Sequence, residues 1–241
     1  MEIRLDQFLV KNNYTESREK AHRLIKDGKV KVNDKIILKP SKKVKIEDRV
    51  ELIESEKYVS RAAYKLLKAI DEFKINVNQK ICMDIGSSTG GFTQVLLENK
   101  AKKIYAIDSG TNQLHKKLRN NSKIILMENT NARYLKKDDF EPIDFFTCDV
   151  SFISITKIID SIKKIIKDNA EGVVLIKPQF ELEPSKLIKG VVKENKFRKE
   201  AINNVIKVFE EKGFLILGIV ESPIKGKEGN IEYLMYVRNT M

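Results

Sequence analysis

The chain of 241 residues is 41% apolar, which suits one domain of ordinary size plus a small satellite. Its 46 Lys and Arg against 34 acids leave a net charge of +12 that points to a polyanionic partner, while two isolated cysteines, Cys82 and Cys148, with no C-x-x-C or paired histidine spacing exclude a metal site. No apolar run approaches the ~18 residues of a membrane span, and Met1-Glu2-Ile3-Arg4-Leu5-Asp6 sets two acids before any apolar stretch, so the expectation is a soluble cytoplasmic protein with no membrane role.

Residues 1–54 predict a small α/β module. Leu5, Phe8 and Leu9 lie at helical spacing, Ser17 caps a second helix with Ala21, Leu24 and Ile25 on one face, and Gly28 ends it. Val30-Lys31-Val32-Asn33 alternates as a strand into an Asn33-Asp34 turn, with Ile36-Ile37-Leu38 after it and Val44 and Ile46 beyond Pro40. Between Arg18 and Lys45 eleven Lys and Arg face three acids, Glu19, Asp27 and Asp34, so much of the excess charge is concentrated here. Through Arg4-Leu5-Asp6, Ser17-Arg18, Ala21, Ile25, Gly28, Val30, Val32-Asn33, Pro40, Val44 and Asp48 the module resembles the S-four RNA-binding domain. On that reading Arg18 and Arg23 of the second helix, with Lys29 and Lys31 at the following turn, form a ridge of donors to RNA phosphates, and Arg4, Lys42 and Lys43 extend it.

Residues 55–59 read as a polar linker, and 60–241 as a second module of alternating strands and helices. Strands are predicted at Ile81 to Ile85, Ile104 to Ile107, Ile124 to Met127, Ile143 to Cys148 and Val173 to Ile176, the pattern of a parallel, doubly wound sheet. Ile155 to Ile166 and Arg198 to Glu211 are the clearest amphipathic helices. Phe214 to Val220 and Ile231 to Val237, joined by a loop with no helix, predict a closing antiparallel pair.

The first strand of this module runs into Asp84-Ile85-Gly86-Ser87-Ser88-Thr89-Gly90-Gly91-Phe92-Thr93, where glycines allow positive φ and a close approach to a bound molecule. Asp108 ends the next apolar run at roughly the ~20-residue spacing of an acid that grips a ribose diol. A dinucleotide loop needs a glycine two residues after Gly86, where Ser88 stands. The pattern D-x-G-x-x-x-G-G instead resembles the first motif of class I methyltransferases that use S-adenosyl-L-methionine. That resemblance implies a mostly parallel Rossmann-like sheet with its last strand antiparallel, and a cofactor held by Asp84, Gly86, Ser87, Ser88, Gly90, Gly91, Phe92, Asp108, Asn131 and Asp149.

Four charged residues stand at or near predicted strand ends, where open α/β sheets bind ligands. They are Lys65 in Ser60-Arg61-Ala62-Ala63-Tyr64-Lys65-Leu66, Asp149 in Cys148-Asp149-Val150-Ser151-Phe152-Ile153-Ser154, Lys177 in Ile176-Lys177-Pro178-Gln179-Phe180-Glu181, and Glu232 in Asn230-Ile231-Glu232-Tyr233. In this order they resemble the Lys-Asp-Lys-Glu tetrad of FtsJ-like ribose 2′-O-methyltransferases, and with the S-four-like module in front the match extends to the TlyA family, also called hemolysin A-like rRNA methyltransferases. The resemblance implies 2′-O-methylation of a cytidine in ribosomal RNA, 16S or 23S with 23S favoured, with Lys177 as the base and a ribosomal subunit or its RNA as partner. Ala62-Ala63 replaces the usual Gly-Gly, a change expected to alter the local turn while leaving Lys65 in register.

Rival readings predict other residues. A cytosine C5-methyltransferase needs a reactive thiolate, usually after proline, whereas Cys148 follows Thr147. An amino-N-methyltransferase needs an Asn/Asp-Pro-Pro-aromatic turn, and Asp149-Val150-Ser151-Phe152 has neither proline. A membrane-active hemolysin lacks an apolar segment to insert, and a non-catalytic RNA-binding protein has no need of the intact Asp84, Gly86, Asp108 and tetrad.

Overall fold

In the computed structural model, which describes residues 2–53, 57–226 and 228–240, the chain divides into two units, Met1–Lys57 and Tyr58–Met241. Residues 54–56, most of the expected linker start, lie outside the described residues.

In the first unit β1 (Glu2–Arg4) leads into α1 (Leu5–Lys11), and α2 (Arg18–Lys26) starts where the Ser17 hydroxyl accepts the Lys20 amide. β2 (Val30–Val32) and β3 (Lys35–Ile36) make a hairpin turned by Asn33 and Asp34, both at positive φ as a two-residue turn requires. β4 (Lys43–Lys45) pairs with β1, and β5 (Val50–Leu52) with β2, all antiparallel. Leu5, Leu9, Ala21, Ile25, Val30 and Val44 form the buried centre. The run Ile36-Ile37-Leu38 is strand only to Ile36, which lies opposite Lys31 on the solvent side; Leu38 and Ile46 are also exposed. The chain leaves the sheet after Lys45 for a turn that Asp48 closes by accepting the Lys45 amide, so Ile46 has no face to bury against.

The second unit opens with α3 (Ala63–Phe73), β6 (Ile81–Ile85), α4 (Gly91–Glu98), β7 (Lys103–Ile107), α5 (Lys116–Arg119) and β8 (Ile124–Met127). It continues through β9 (Ile143–Cys148), α6 (Ile159–Lys163), β10 (Ile166–Ile176), α7 (Pro178–Glu181), α8 (Asn195–Glu211), β11 (Phe214–Glu221) and β12 (Tyr233–Asn239). The seven strands form one sheet in the order β11-β12-β10-β9-β6-β7-β8. Pairs from β10 to β8 are parallel, and β12 runs antiparallel to both neighbours. Alternate residues feed two cores: Met83, Ile85 and Phe146 point to one, Cys82 and Phe145 to the other. Helices cover both faces, as a parallel sheet demands.

Several boundaries differ from the sequence reading, among them α8, which begins at Asn195 rather than Arg198, and β10, which begins at Ile166 rather than Val173. The helix expected over Ile155 to Ile166 is a 3-10 turn (Ile155–Lys157) and the short α6, and Ile166 already belongs to β10. The helical spacing is real, since Ile155, Ile158, Ile159, Ile162, Ile165 and Ile166 all enter one core. Pairing of Ile166 with Ile143, before a register shift near Asn169 at φ 62°, draws the end of the run into the sheet. The last strand begins at Tyr233 rather than Ile231, which leaves Glu232 in the loop just before it.

Among the described residues no helix is long and apolar enough to cross a membrane, and no group of three or more His, Cys, Asp and Glu is arranged to hold a metal ion.

Candidate active site

Parallel pairing of β7, β6 and β9 aligns their carboxyl ends, and the loops leaving those ends build the site. After β6 the Gly86 and Ser87 amides both donate to the Ile107 carbonyl, which folds the loop across β7. Asp108, just past β7, accepts the Ser88 amide at 2.8 Å and the Gly110 amide at 2.7 Å, so two loops are fastened to one carboxylate. Gly86 stands at φ 78°, and a Cβ there would fall 2.4 Å from the Asp149 carbonyl oxygen. Only glycine fits that crossing without displacing the backbone. The Asp149 amide in turn donates to the Ile85 carbonyl.

The tetrad residues meet although they come from four separate segments. Lys65 of α3 donates to Glu232 at 2.7 Å and lies 3.7 Å from Asp149; Lys177, at the N-terminus of α7, lies 2.6 Å from the other Asp149 oxygen and donates to Ser151 at 2.7 Å. Lys65, Lys177 and Glu232 are buried. Two ammonium groups alternating with two carboxylates offset the desolvation of each ion, and loss of any one would leave a buried charge unpaired. Gly226 passes so close to Glu232 that a Cβ on it would meet the carboxylate at 2.6 Å.

A cavity of about 690 Å³ opens beside this cluster. Of the expected cofactor residues, Gly86, Ser88, Asp108, Asn131 and Asp149 line it; Asp84, Ser87, Gly90, Gly91 and Phe92 do not. Asp84 is fully buried and accepts hydroxyl bonds from Thr93 at 2.6 Å and Thr147 at 2.8 Å, which join α4 and β9 to β6. Burial drives its carboxyl up against those bonds, to about 6. Phe92 packs in the core, and the Ser87 hydroxyl is buried without a hydrogen-bond partner among the described residues. Gly91 serves helix packing, since a Cβ there would meet Ser60 Oγ, and the Ala63 amide at 2.9 Å. The Ala62-Ala63 pair leaves an ordinary helical start, with Ala62 at φ −53° and ψ −31°.

Other lining residues escaped the sequence reading. Gln113 belongs to a loop whose amides are gathered by Glu128; burial opposes that charge, but Arg119 and the three amides of residues 112–114 outweigh it and hold the carboxyl at about 2. Ser151 and Phe152 come two and three residues after Asp149, and the Phe152 ring is 91% exposed on a backbone at φ 65°. Cys148 is fully buried, and burial pushes its thiol well above the ordinary range, so no thiolate is offered to a pyrimidine base.

In the first unit the Asp6 side chain is buried under Arg4 and Arg18, each at 2.9 Å, with His22 at 3.4 Å. Burial opposes its ionisation, but hydrogen bonds from Arg4 and Arg18 win and hold it at about 2. The β1–β4 register sets Lys43 opposite Arg4, and Lys42 next to it is exposed. Arg4, Arg18 and Lys43 are thereby brought together, whereas Lys31 lies opposite Glu51 in another sheet and Arg23 and Lys29 stand near the end of α2.

Residues 58–239 match the model of the FtsJ-like methyltransferases, about three quarters of the chain. The chain belongs to the FtsJ-like methyltransferase family. In this FtsJ-like methyltransferase the S4 domain model matches residues 3–50. It is 45% identical over 237 residues to Hemolysin A of Brachyspira hyodysenteriae, spanning 97% of this chain and 99% of that one. To the 23S rRNA (cytidine-2′-O)-methyltransferase TlyA of Campylobacter jejuni it is 41% identical over 250 residues, 95% of this chain and 97% of the relative. A solved structure from Streptococcus thermophilus, described as a candidate hemolysin, superposes with a TM-score of 0.80 at 38% identity, covering 99% of this chain and 89% of that one.

Proposed function

We propose that the protein methylates the ribose 2′-hydroxyl of a cytidine in large-subunit ribosomal RNA, using S-adenosyl-L-methionine, in the cytoplasm where that RNA is found. In this reading residues 1–54 dock the RNA and residues 60–241 carry out the transfer. The observation that carries it is the tetrad, assembled from α3, the ends of β9 and β10 and the loop before β12, with Asp149 lining a nucleotide-sized cavity. The name of the Campylobacter jejuni relative supports the substrate, and the Cys148 environment disfavours attack through the base.

The cavity suits the cofactor. Asp108 offers its carboxylate to a ribose diol, and Gly86, Ser88 and Asn131 line the cavity around it. S-adenosyl-L-methionine, when bound, supplies an electrophilic sulfonium methyl. Lys177, once it has given up a proton of its own, takes the proton of the ribose hydroxyl; Ser151 accepts one of its N–H groups, and Asp149 Oδ1 lies 2.6 Å from its nitrogen. Lys65, held by Glu232, keeps Asp149 in place. Because the displacement is in line, positioning supplies much of the rate.

The test maps 2′-O-methylation on 23S and 16S RNA after incubation with the wild type and with Lys177→Ala. A single cytidine in 23S RNA is modified by the wild type, and Lys177→Ala loses the activity while retaining cofactor and RNA affinity. Methylation on a base, or full single-turnover activity in Lys177→Ala, refutes the reading.

A further inference from the structure

The residues that follow Asp149 are fastened to α7 at three points. Lys177 donates to Ser151 at 2.7 Å, the Phe152 and Phe180 rings stand 5.4 Å apart, and Glu181 accepts the Ile155 amide at 3.0 Å on one oxygen and the Ser154 hydroxyl on the other. The turn needs such a fastening. Phe152 has a left-handed backbone that bulky residues avoid, and a ring so exposed that burial does not hold it. Burial of the Glu181 carboxyl pushes its proton affinity up, against the two bonds it accepts from the turn.

We propose that Glu181 is a positioning residue for methyl transfer, anchoring the 150–155 turn so that Ser151 stays on Lys177 and Phe152 stays at the cavity. The inference rests on the transfer to RNA proposed above. It assigns a task to the glutamate of Lys177-Pro178-Gln179-Phe180-Glu181 and to the serine that closes Ser151-Phe152-Ile153-Ser154, neither of which touches the reacting atoms.

Glu181→Ala and Glu181→Gln test it in the full-length protein, with single-turnover methyl transfer to 23S RNA, cofactor affinity by calorimetry and amide hydrogen exchange. In Glu181→Ala the transfer rate falls roughly 10- to 100-fold, the penalty of a misplaced reacting group, while cofactor affinity stays within about twofold. Glu181→Gln stays within about threefold of wild type, because the amide oxygen accepts the Ile155 N–H and the amide nitrogen donates to Ser154, whose own proton turns to Thr156 Oγ1, 2.7 Å away. The Ile155 amide loses protection in the alanine variant alone, with β6 and β9 unchanged. A wild-type rate in Glu181→Ala, a glutamine variant as impaired as alanine, or cofactor affinity falling in step with the rate overturns the proposal. A wild-type protein that leaves 23S RNA unmodified refutes the proposed function instead. Exchange at Ile155 then still decides the anchor, and unchanged protection in Glu181→Ala overturns it.

Discussion

Replacing Gly86 with alanine probes how far the site depends on one backbone crossing. At φ 78° alanine pays about 1–2 kcal/mol for the left-handed backbone alone. The added Cβ also stands 2.4 Å from the Asp149 carbonyl oxygen and 2.9 Å from its carbon, and relief to ordinary contact at 3.4 Å moves that backbone by about 1 Å. A displacement of this size at a reacting group lowers a catalytic rate about 100-fold. Gly190 is the control, with φ 77° and nothing within 4 Å of its virtual Cβ. Thermal unfolding and single-turnover transfer are measured on both variants. Gly190→Ala loses a few degrees and keeps its rate, whereas Gly86→Ala loses more stability and about 100-fold in rate. Equal behaviour of the two would show that the crossing does not set the geometry of Asp149.

Two acids give opposite expectations with pH and charge. The Asp84 carboxyl, near 6 in the folded state against 3.8 in the unfolded chain, binds its proton more tightly when folded, so stability falls as pH rises between those values. Asp84→Asn removes that term, and its stability relative to wild type gains about 2 kcal/mol from pH 4 to pH 6 by denaturant unfolding; a flat difference across that window contradicts the assignment. Asp6→Asn raises the positive charge of a chain that binds RNA, which by bulk electrostatics tightens binding. Since Asp6 orients Arg4 and Arg18, the expected outcome is weaker binding of ribosomal RNA in a filter or anisotropy titration, and tighter binding would show that the orientation is irrelevant.

Where one face of an element meets the core, the sequence carried the signal plainly. β6, β7, β8 and β9 lie within a residue of their apolar runs, and Ser17 and Gly28 bracket α2 as their chemistry dictates. The isoleucines from Ile155 to Ile166 show the limit of periodicity: they report a buried face, but the partner strand 23 positions back decides that the last of them is extended. β1 and β5, three residues each, are too short to show any period and exist through pairing with β4 and β2. In the Gly-rich loop, spacing reveals a tight turn between strand and helix without separating residues that face the cavity from Asp84, Gly91 and Phe92, which hold the elements together behind it. The tetrad was legible only through its resemblance to a family, because a charged residue at a strand end is by itself ordinary. Ser151, Phe152 and Glu181 lay within quoted motifs, yet nothing in their spacing shows that two separate segments clasp each other.

The bond between Lys65 and Glu232 spans 167 positions of sequence, and the residue it recruits hangs from a strand inserted between β10 and β11. Closing so long a loop carries an entropic cost that the packing of β12 must offset. Withdrawal of β12 would leave β10 and β11 with raw edges and release Glu232 from Lys65, while the contacts within residues 2–53 stay whole. On the proposed division of labour, such a chain would hold RNA without transferring a methyl group, and so would compete with its own finished form.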